Sequence, residues 1–322
     1  MRSMAVAFTA LLFVFSALPV RAADDAQAAR ERKKIVFLAG RASHGFGAHD
    51  HLAGCHLLAN KLKEAKPAYE TIVVTDGWPT DEKVLEGADA IVIYCDGGAN
   101  HPALPHVDLL DRLSSKGTGI GCIHYAVEVP AETGGPHWLK WIGGYFEINW
   151  SVNPHWEARF KSLPSHPVAS GVKPFATNDE WYYNMRFREG MKGVTPILTA
   201  VPPDSTRQAR DDAHGGNPTV RAAIGKNQKE HVLWVSENTD QNGSRGFGTT
   251  GGHVHWNWAQ DDWRKTVLNS IVWIAKGEVP KGGAESKTPT VDEMLANHDE
   301  KVPADFNREE MAKRIAEMNK AK

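Results

Sequence analysis

The chain has 322 residues, 41% hydrophobic and 24% charged, with 37 Lys+Arg against 39 Asp+Glu and a net charge of −2. It is long enough for one large globular domain or two modest ones, and its charge balance, with no long basic run, excludes a protein that lives on nucleic-acid phosphates. The unusual counts are 15 His, 11 Trp, 29 Gly and 18 Pro; so much Gly and Pro means many structured loops, where sites are usually built.

Residues 1–22 read as a signal peptide, with Arg2 in the n-region, an apolar h-region over 5–18 and small-residue cleavage positions at Val20 and Ala22. The apolar stretch is too short for a membrane span. The expected product is an exported protein, periplasmic or extracellular, with no membrane span in the mature chain. Three cysteines, Cys55, Cys95 and Cys122, are too few for a disulfide scaffold. Cys95 and Cys122 lie in apolar strand-like runs and read as buried thiols.

After a charged, Ala-rich leader, residues 33–40 (KKIVFLAG) form a continuous apolar run ending in Gly, the mark of a buried parallel strand. A loop rich in Gly and His follows. The spacing of Leu52, Leu57, Leu58 and Leu62 then predicts a helix over 51–63. Residues 70–77 predict the second strand, 83–86 a short helix, and 88–98 (ADAIVIYCDGG) a third strand with a Gly-rich exit. Val107, Leu110 and Leu113 predict a helix over 106–115, and 118–126 (TGIGCIHYA) a fourth strand. Strands alternating with helices imply right-handed crossovers. The expected fold class is therefore α/β, a doubly wound, mostly parallel and flavodoxin-like sheet, with ligands at the carboxyl ends of its strands.

The second half predicts shorter strands at 157–160, 193–198, 219–224 and 231–236, joined by long Pro/Gly/Asp loops and extending the same sheet. A helix over 261–276 carries Val267, Ile271, Val272 and Ile274. One domain thus spans 33–277. Residues 278–322 read as a linker and tail with a charged helix over 308–320 that has little to bury, and so wraps the surface or stays mobile.

His124, at the exit of the fourth strand, stands where an open α/β sheet presents its chemistry. The loop after the first strand holds His44, His49, Asp50 and His51 just before a helix; histidine is both the commonest metal ligand and the near-neutral acid/base. His44 is closest to the strand end, and Asp50 could equally be the helix N-cap. The third strand exits through Asp96, Asn100 and His101. Later clusters are His155 between Trp150 and Trp156, Asp179 and Glu180 beside Trp181, and His253 with His255, which share one face if they lie on a strand. Histidines on separate loops with one carboxylate match the mixed nitrogen/oxygen set of a divalent metal; scattered loop histidines are the competing reading. Cys122, in GIGCIHY, lacks the following Gly that a nucleophile elbow needs.

Taken together, KKIVFLAG with its His-bearing loop, GIGCIHYA, IGGYF, HPVASGVKPF before NDEWYYN, and TGGHVHWNW before the last helix resemble the trehalose-utilisation (ThuA-like) family. The resemblance implies a fold similar to the class I glutamine amidotransferase domain without its catalytic triad. It also implies work on carbohydrates, in particular oxidised disaccharides and 3-keto-glycosides. Carried over, the family's recurrent polar set falls on His44, His124, Glu180 and His253, with His155 matching a further histidine. His49, His51 and His255 are extra imidazoles in this chain.

The expectation is a carbohydrate-catabolism enzyme that cleaves a keto-glycoside or disaccharide with a divalent metal (Zn, Mn, Ni or Fe) held by His124, His155 and Glu180. His44 or His253 would be the base. Trp156, Trp181, Tyr125 and Trp256 would meet the sugar, or the indoles would fill core. A non-catalytic sugar-binding protein on the same fold is the alternative, and a thiol-dependent amidohydrolase a third class.

Overall fold

The structure, a computed structural model, describes residues 32–238 and 242–320. The expected signal peptide lies outside the described residues. The first half gives β1 (Lys33–Ala39), α1 (His51–Ala65), β2 (Tyr69–Val74), β3 (Ala90–Tyr94), α2 (Val107–Ser115), β4 (Gly119–Ile123) and α3 (Gly135–Trp141). Next come β5 (Gly144–Tyr145), β6 (His155–Phe160), β7 (Phe175–Glu180), β8 (Arg186–Phe187) and β9 (Val194–Ala200). The chain closes with α4 (Pro218–Arg221), β10 (Glu230–Asn238), β11 (Ser244–Thr249), α5 (Asp261–Ile274), α6 (Val291–Leu295) and α7 (Arg308–Met318). No helix among the described residues is long and apolar enough to cross a membrane.

Seven strands form one sheet in the order β2-β1-β3-β4-β11-β10-β9. Five of them, β2, β1, β3, β4 and β11, run parallel, and β10 is antiparallel to both of its neighbours. The apolar runs are continuous because both faces are covered. Ile35, Phe37 and Ala39 of β1 pack with Leu57, Leu58 and Leu62 of α1 and Val267 and Ile271 of α5. Val36 and Leu38 face the other way, toward Leu110 and Leu113 of α2 and Trp138 and Trp141 of α3. Each such fully buried side chain contributes roughly 1.5–3 kcal/mol. Winding reverses between β1 and β3, so their carboxyl ends open a crevice at the switch point.

The second half departs from the sequence expectations in three places. Residues 219–224 are no strand: Pro218 opens the short helix α4, and the Asn217 side chain accepts from Val220 N at 3.1 Å to cap it. The strand expected at 157–160 is β6, which leaves the main sheet and pairs only with β7. Finally, β11 occupies the sheet centre although SRGFGT has no apolar alternation. Its glycines are there for close approach: a Cβ on Gly246 would come within 2.1 Å of Trp141 O, and one on Gly248 within 2.3 Å of the Trp234 ring. The tail is docked as well. Met294 and Ile315 are buried, and Asn319 accepts from Asp261 N at 2.8 Å.

Candidate functional site

Four segments meet above the carboxyl ends of the parallel strands. Leaving β1, the chain reaches His49 in a left-handed conformation (φ 49°). β4 ends at Ile123, and His124 is again left-handed (φ 56°), so strand alternation does not extend to it. Two non-glycine residues held in this sparsely populated region at one locus mark a constrained site. Glu180 is the last residue of β7. Beyond β11, Gly252 turns at φ 123° and delivers His253. An antiparallel bridge between Ala48 and Val254, flanked by His49 N to His253 O at 3.1 Å and His255 N to Gly47 O at 3.0 Å, locks two of these segments together.

His49, His124, Glu180 and His253 each offer a ligand atom, all within 4.8 Å of one another. His49 Nε2 stands 3.0 Å from His124 Nε2 and 3.0 Å from His253 Nδ1. Glu180 Oε2 is 3.0 Å from His253 Nδ1 and 3.4 Å from His124 Nε2. The outward nitrogens fix the tautomers. His49 Nδ1 donates to Asp96 Oδ1 at 2.7 Å, and His124 Nδ1 donates to the Thr250 carbonyl at 2.8 Å. Both Nε2 lone pairs therefore point inward at each other, an arrangement that a cation or a proton resolves. Metal-binding histidines are oriented in this way by carboxylates and carbonyls behind them. With metal–ligand bonds of about 2.0–2.1 Å, tetrahedral ligands lie roughly 3.3 Å apart, so the donor set fits a divalent cation. Tyr182 OH adds a hydrogen-bond partner 3.0 Å from His124 Nε2.

Electrostatics favour the same protonation pattern. Burial lowers the His49 pKa to about 3, against the opposing effect of its hydrogen bond to Asp96, and neighbouring imidazoles push it down as well. His49 is thus a neutral donor at ordinary pH. Burial opposes the Glu180 charge, yet the His124 and His253 imidazoles outweigh it and hold the carboxyl far below the usual range. Asp96 shows the same balance and falls to about 2, burial being outweighed by hydrogen bonds from His49 and Ser43.

Of the expected metal ligands, His124 and Glu180 are in the cluster. His155 lies opposite Glu180 in the β6–β7 register but is exposed; its ring is 4.8 Å from that of His253, at the rim. The inner place belongs to His49. His253, expected as a possible base, is one of the four donors. His44 is exposed at the mouth, its ring 3.7 Å from the His49 ring. Tyr125 lines the same opening, its ring 5.9 Å from His49. The indoles are core: Trp181 is fully buried, and Trp156 is buried with its Nε1 donating to Trp181 O at 2.8 Å. Trp256 is also buried, stacked on Phe306 away from the cluster. His253 and His255 do not share a site, because the chain turns into a short helix at His255. The sequence carries no signal for Tyr182 and places His44, rather than His49, closest to the strand end; a count of residues from that end carries no information on which imidazole a left-handed turn aims inward.

A second layer holds the loops. Asp179, completely buried, accepts from Glu180 N and Val254 N through Oδ1, and from Gly252 N and Asn257 Nδ2 through Oδ2, at 2.8–3.2 Å. The long loop at 201–217 docks through His214, whose Nε2 lies 3.1 Å from both oxygens of Glu128.

Comparison with known proteins agrees with this architecture. The sequence pattern described as "ThuA: Trehalose utilisation" matches residues 36–274. A thua-like protein from Bacteroides uniformis shares the fold at a TM-score of 0.53 and 15% identity, covering 79% of this chain and 95% of its own. Another, from Parabacteroides merdae, aligns at 14% identity and a TM-score of 0.44 over 86% of this chain and 95% of its own. No curated protein matches the sequence. With most of its length, and all seven strands of its central sheet, inside or overlapping the matched region, the chain belongs to the ThuA family of trehalose utilisation, whose name points to a carbohydrate-related role.

Proposed function

We propose that the protein is an exported enzyme of carbohydrate catabolism that cleaves a 3-keto-glycoside or keto-disaccharide, with a divalent metal held by His49, His124, His253 and Glu180. The observation that supports this most is the convergence of three imidazoles and one carboxylate, two of the imidazoles with tautomers fixed from behind. A divalent cation in that donor set supplies Lewis acidity toward a sugar ketone and its neighbouring hydroxyl. His44 is the base. Its Nδ1 lies 2.8 Å from Ser43 Oγ, and Ser43 in turn bonds Asp96, so a donating Nδ1–H leaves the Nε2 lone pair for the substrate. His44 takes the proton from the carbon between the ketone and the anomeric centre. A carbon–carbon double bond forms there as the bond to the glycosidic oxygen breaks, and the departing oxygen takes up a proton. Burial and the nearby carboxyls of Glu128, Asp96 and Glu180 raise the Tyr125 phenol to about 12, so it stays protonated and offers that donor.

The test is release of nitrophenol from a p-nitrophenyl 3-keto-glucoside. Turnover by the metal-loaded wild type, its loss in His124→Ala, and a fall in kcat of about 100-fold or more in His44→Ala with metal content unchanged would support the assignment. Saturable sugar binding without turnover, indifferent to chelation, would replace it with the sugar-binding alternative.

A further inference from the structure

Beside this cluster, on the far side of the Ala48–Val254 bridge, Asp50, His255 and His298 form a second group of donors within 4.8 Å of one another. Asp50 occupies the N-cap position of α1, yet its side chain makes no cap hydrogen bond, contrary to the sequence expectation. Instead Oδ2 accepts from Gly47 N at 2.9 Å, and Oδ1 lies 3.0 Å from His298 Nδ1. Both side chains of that pair are only 2% exposed, and His255 is fully buried. The decisive detail is at the other nitrogens. His255 Nε2 and His298 Nε2 both donate to the same carbonyl, Met294 O, each at 2.8 Å. A neutral His255 ring so tied presents a bare Nδ1 lone pair that has no hydrogen-bond partner, while His298 Nδ1 faces Asp50 Oδ1. Two imidazole nitrogens and a carboxylate oxygen thus converge in a buried place. Phe46 closes it at 4.9 Å from the His298 ring, with Trp256 stacked at 5.8 Å.

We propose that Asp50, His255 and His298 bind a structural zinc ion, distinct from the catalytic cluster, which staples the C-terminal segment to the loop carrying His49 and the turn carrying His253. The N₂O donor set suits Zn(II), a water completing the tetrahedron. Orientation of both rings by one backbone carbonyl is the outer-layer arrangement a metal site needs. His298 comes from the tail, the other two donors from the sheet's loops, so the ion would cross-link segments that nothing in the chain connects locally.

Full-length His124→Ala/Glu180→Gln protein removes the first cluster from the experiment. Stripped of metal and reloaded with Zn(II), it should hold one tight equivalent per chain, and Co(II) in its place should give the visible absorption of a tetrahedral site. Adding His298→Ala should abolish both. Independently, trypsin cleavage beyond Met294, at Lys301 or Arg308, should speed up at least tenfold with chelator in the parent variant and be insensitive to chelator once His298 is replaced. No tight equivalent, or a chelator-insensitive cleavage rate in the parent, would overturn the assignment and leave a proton-bridged Asp50–His298 pair. Because the first cluster is already disabled, failure here says nothing against the catalytic reading, and failure of the glycoside assay says nothing against the zinc.

Discussion

Asp179→Ala is the sharpest test of how the loops of the four-donor cluster are held. The side chain is completely buried and accepts four N–H donors, three from backbone at residues 180, 252 and 254 and one from Asn257. Hydrogen bonds to a charged group contribute about 1.5–3 kcal/mol each, and a buried donor left unpaired costs about 1–3 kcal/mol. The four are not additive, since water can enter the space left by the carboxylate. A net loss of about 3–5 kcal/mol follows, which in a chain of this size lowers Tm by about 6–15 °C. Asp179→Asn keeps the shape but turns an N–H toward N–H donors, so it should recover little. The same substitutions release the turn that delivers His253, so the affinity of the proposed site for a divalent metal should fall together with Tm. Paired thermal melts and metal titrations of wild type and both variants give the answer. A Tm within about 2 °C of wild type with unchanged metal affinity would refute the idea that this carboxylate organises the site.

Two further outcomes are expected. The hydrogen bond that His214 donates to Glu128 raises the His214 pKa above 6.5, against an opposing effect of burial. Stability from this pair is therefore full below the unfolded value and is lost as pH rises through the folded one. Solvent screening at the half-exposed ring keeps it below about 1 kcal/mol. The Tm difference between wild type and His214→Ala should accordingly be measurable at pH 6 and shrink toward pH 8.5; a difference that grows with pH would contradict the pairing. All three cysteines are buried, and burial pushes the Cys122 thiol far up. Native protein should resist iodoacetamide and keep its turnover, whereas rapid labelling of Cys122 with parallel loss of activity would favour the thiol-dependent class.

The central strands β1, β3 and β4 could be read from the sequence because each is buried on both faces. Continuous runs such as FLAG and IVIY have no other stable home, and the helices between them show their apolar stripe locally. His124 could also be singled out, since a strand's carboxyl end is a position along the chain. The rest was decided by tertiary contacts. β11 was invisible because its glycines answer to Trp141 and Trp234, far away in sequence. The strand expected at 219–224 lost to a Pro218 and Asn217 helix start. The choice of His49 over His155 as an inner donor depends on a left-handed turn and on the bridge to Val254, neither of which has a sequence period. His253 and His255, two residues apart, serve different clusters because the backbone turns between them, and His298 finds Asp50 only because the tail docks. Local sequence sets which residues can form an element; which imidazoles share a lone-pair focus is set by how distant loops are held, and here that is the work of Asp179, Asp96, Thr250 O and Met294 O.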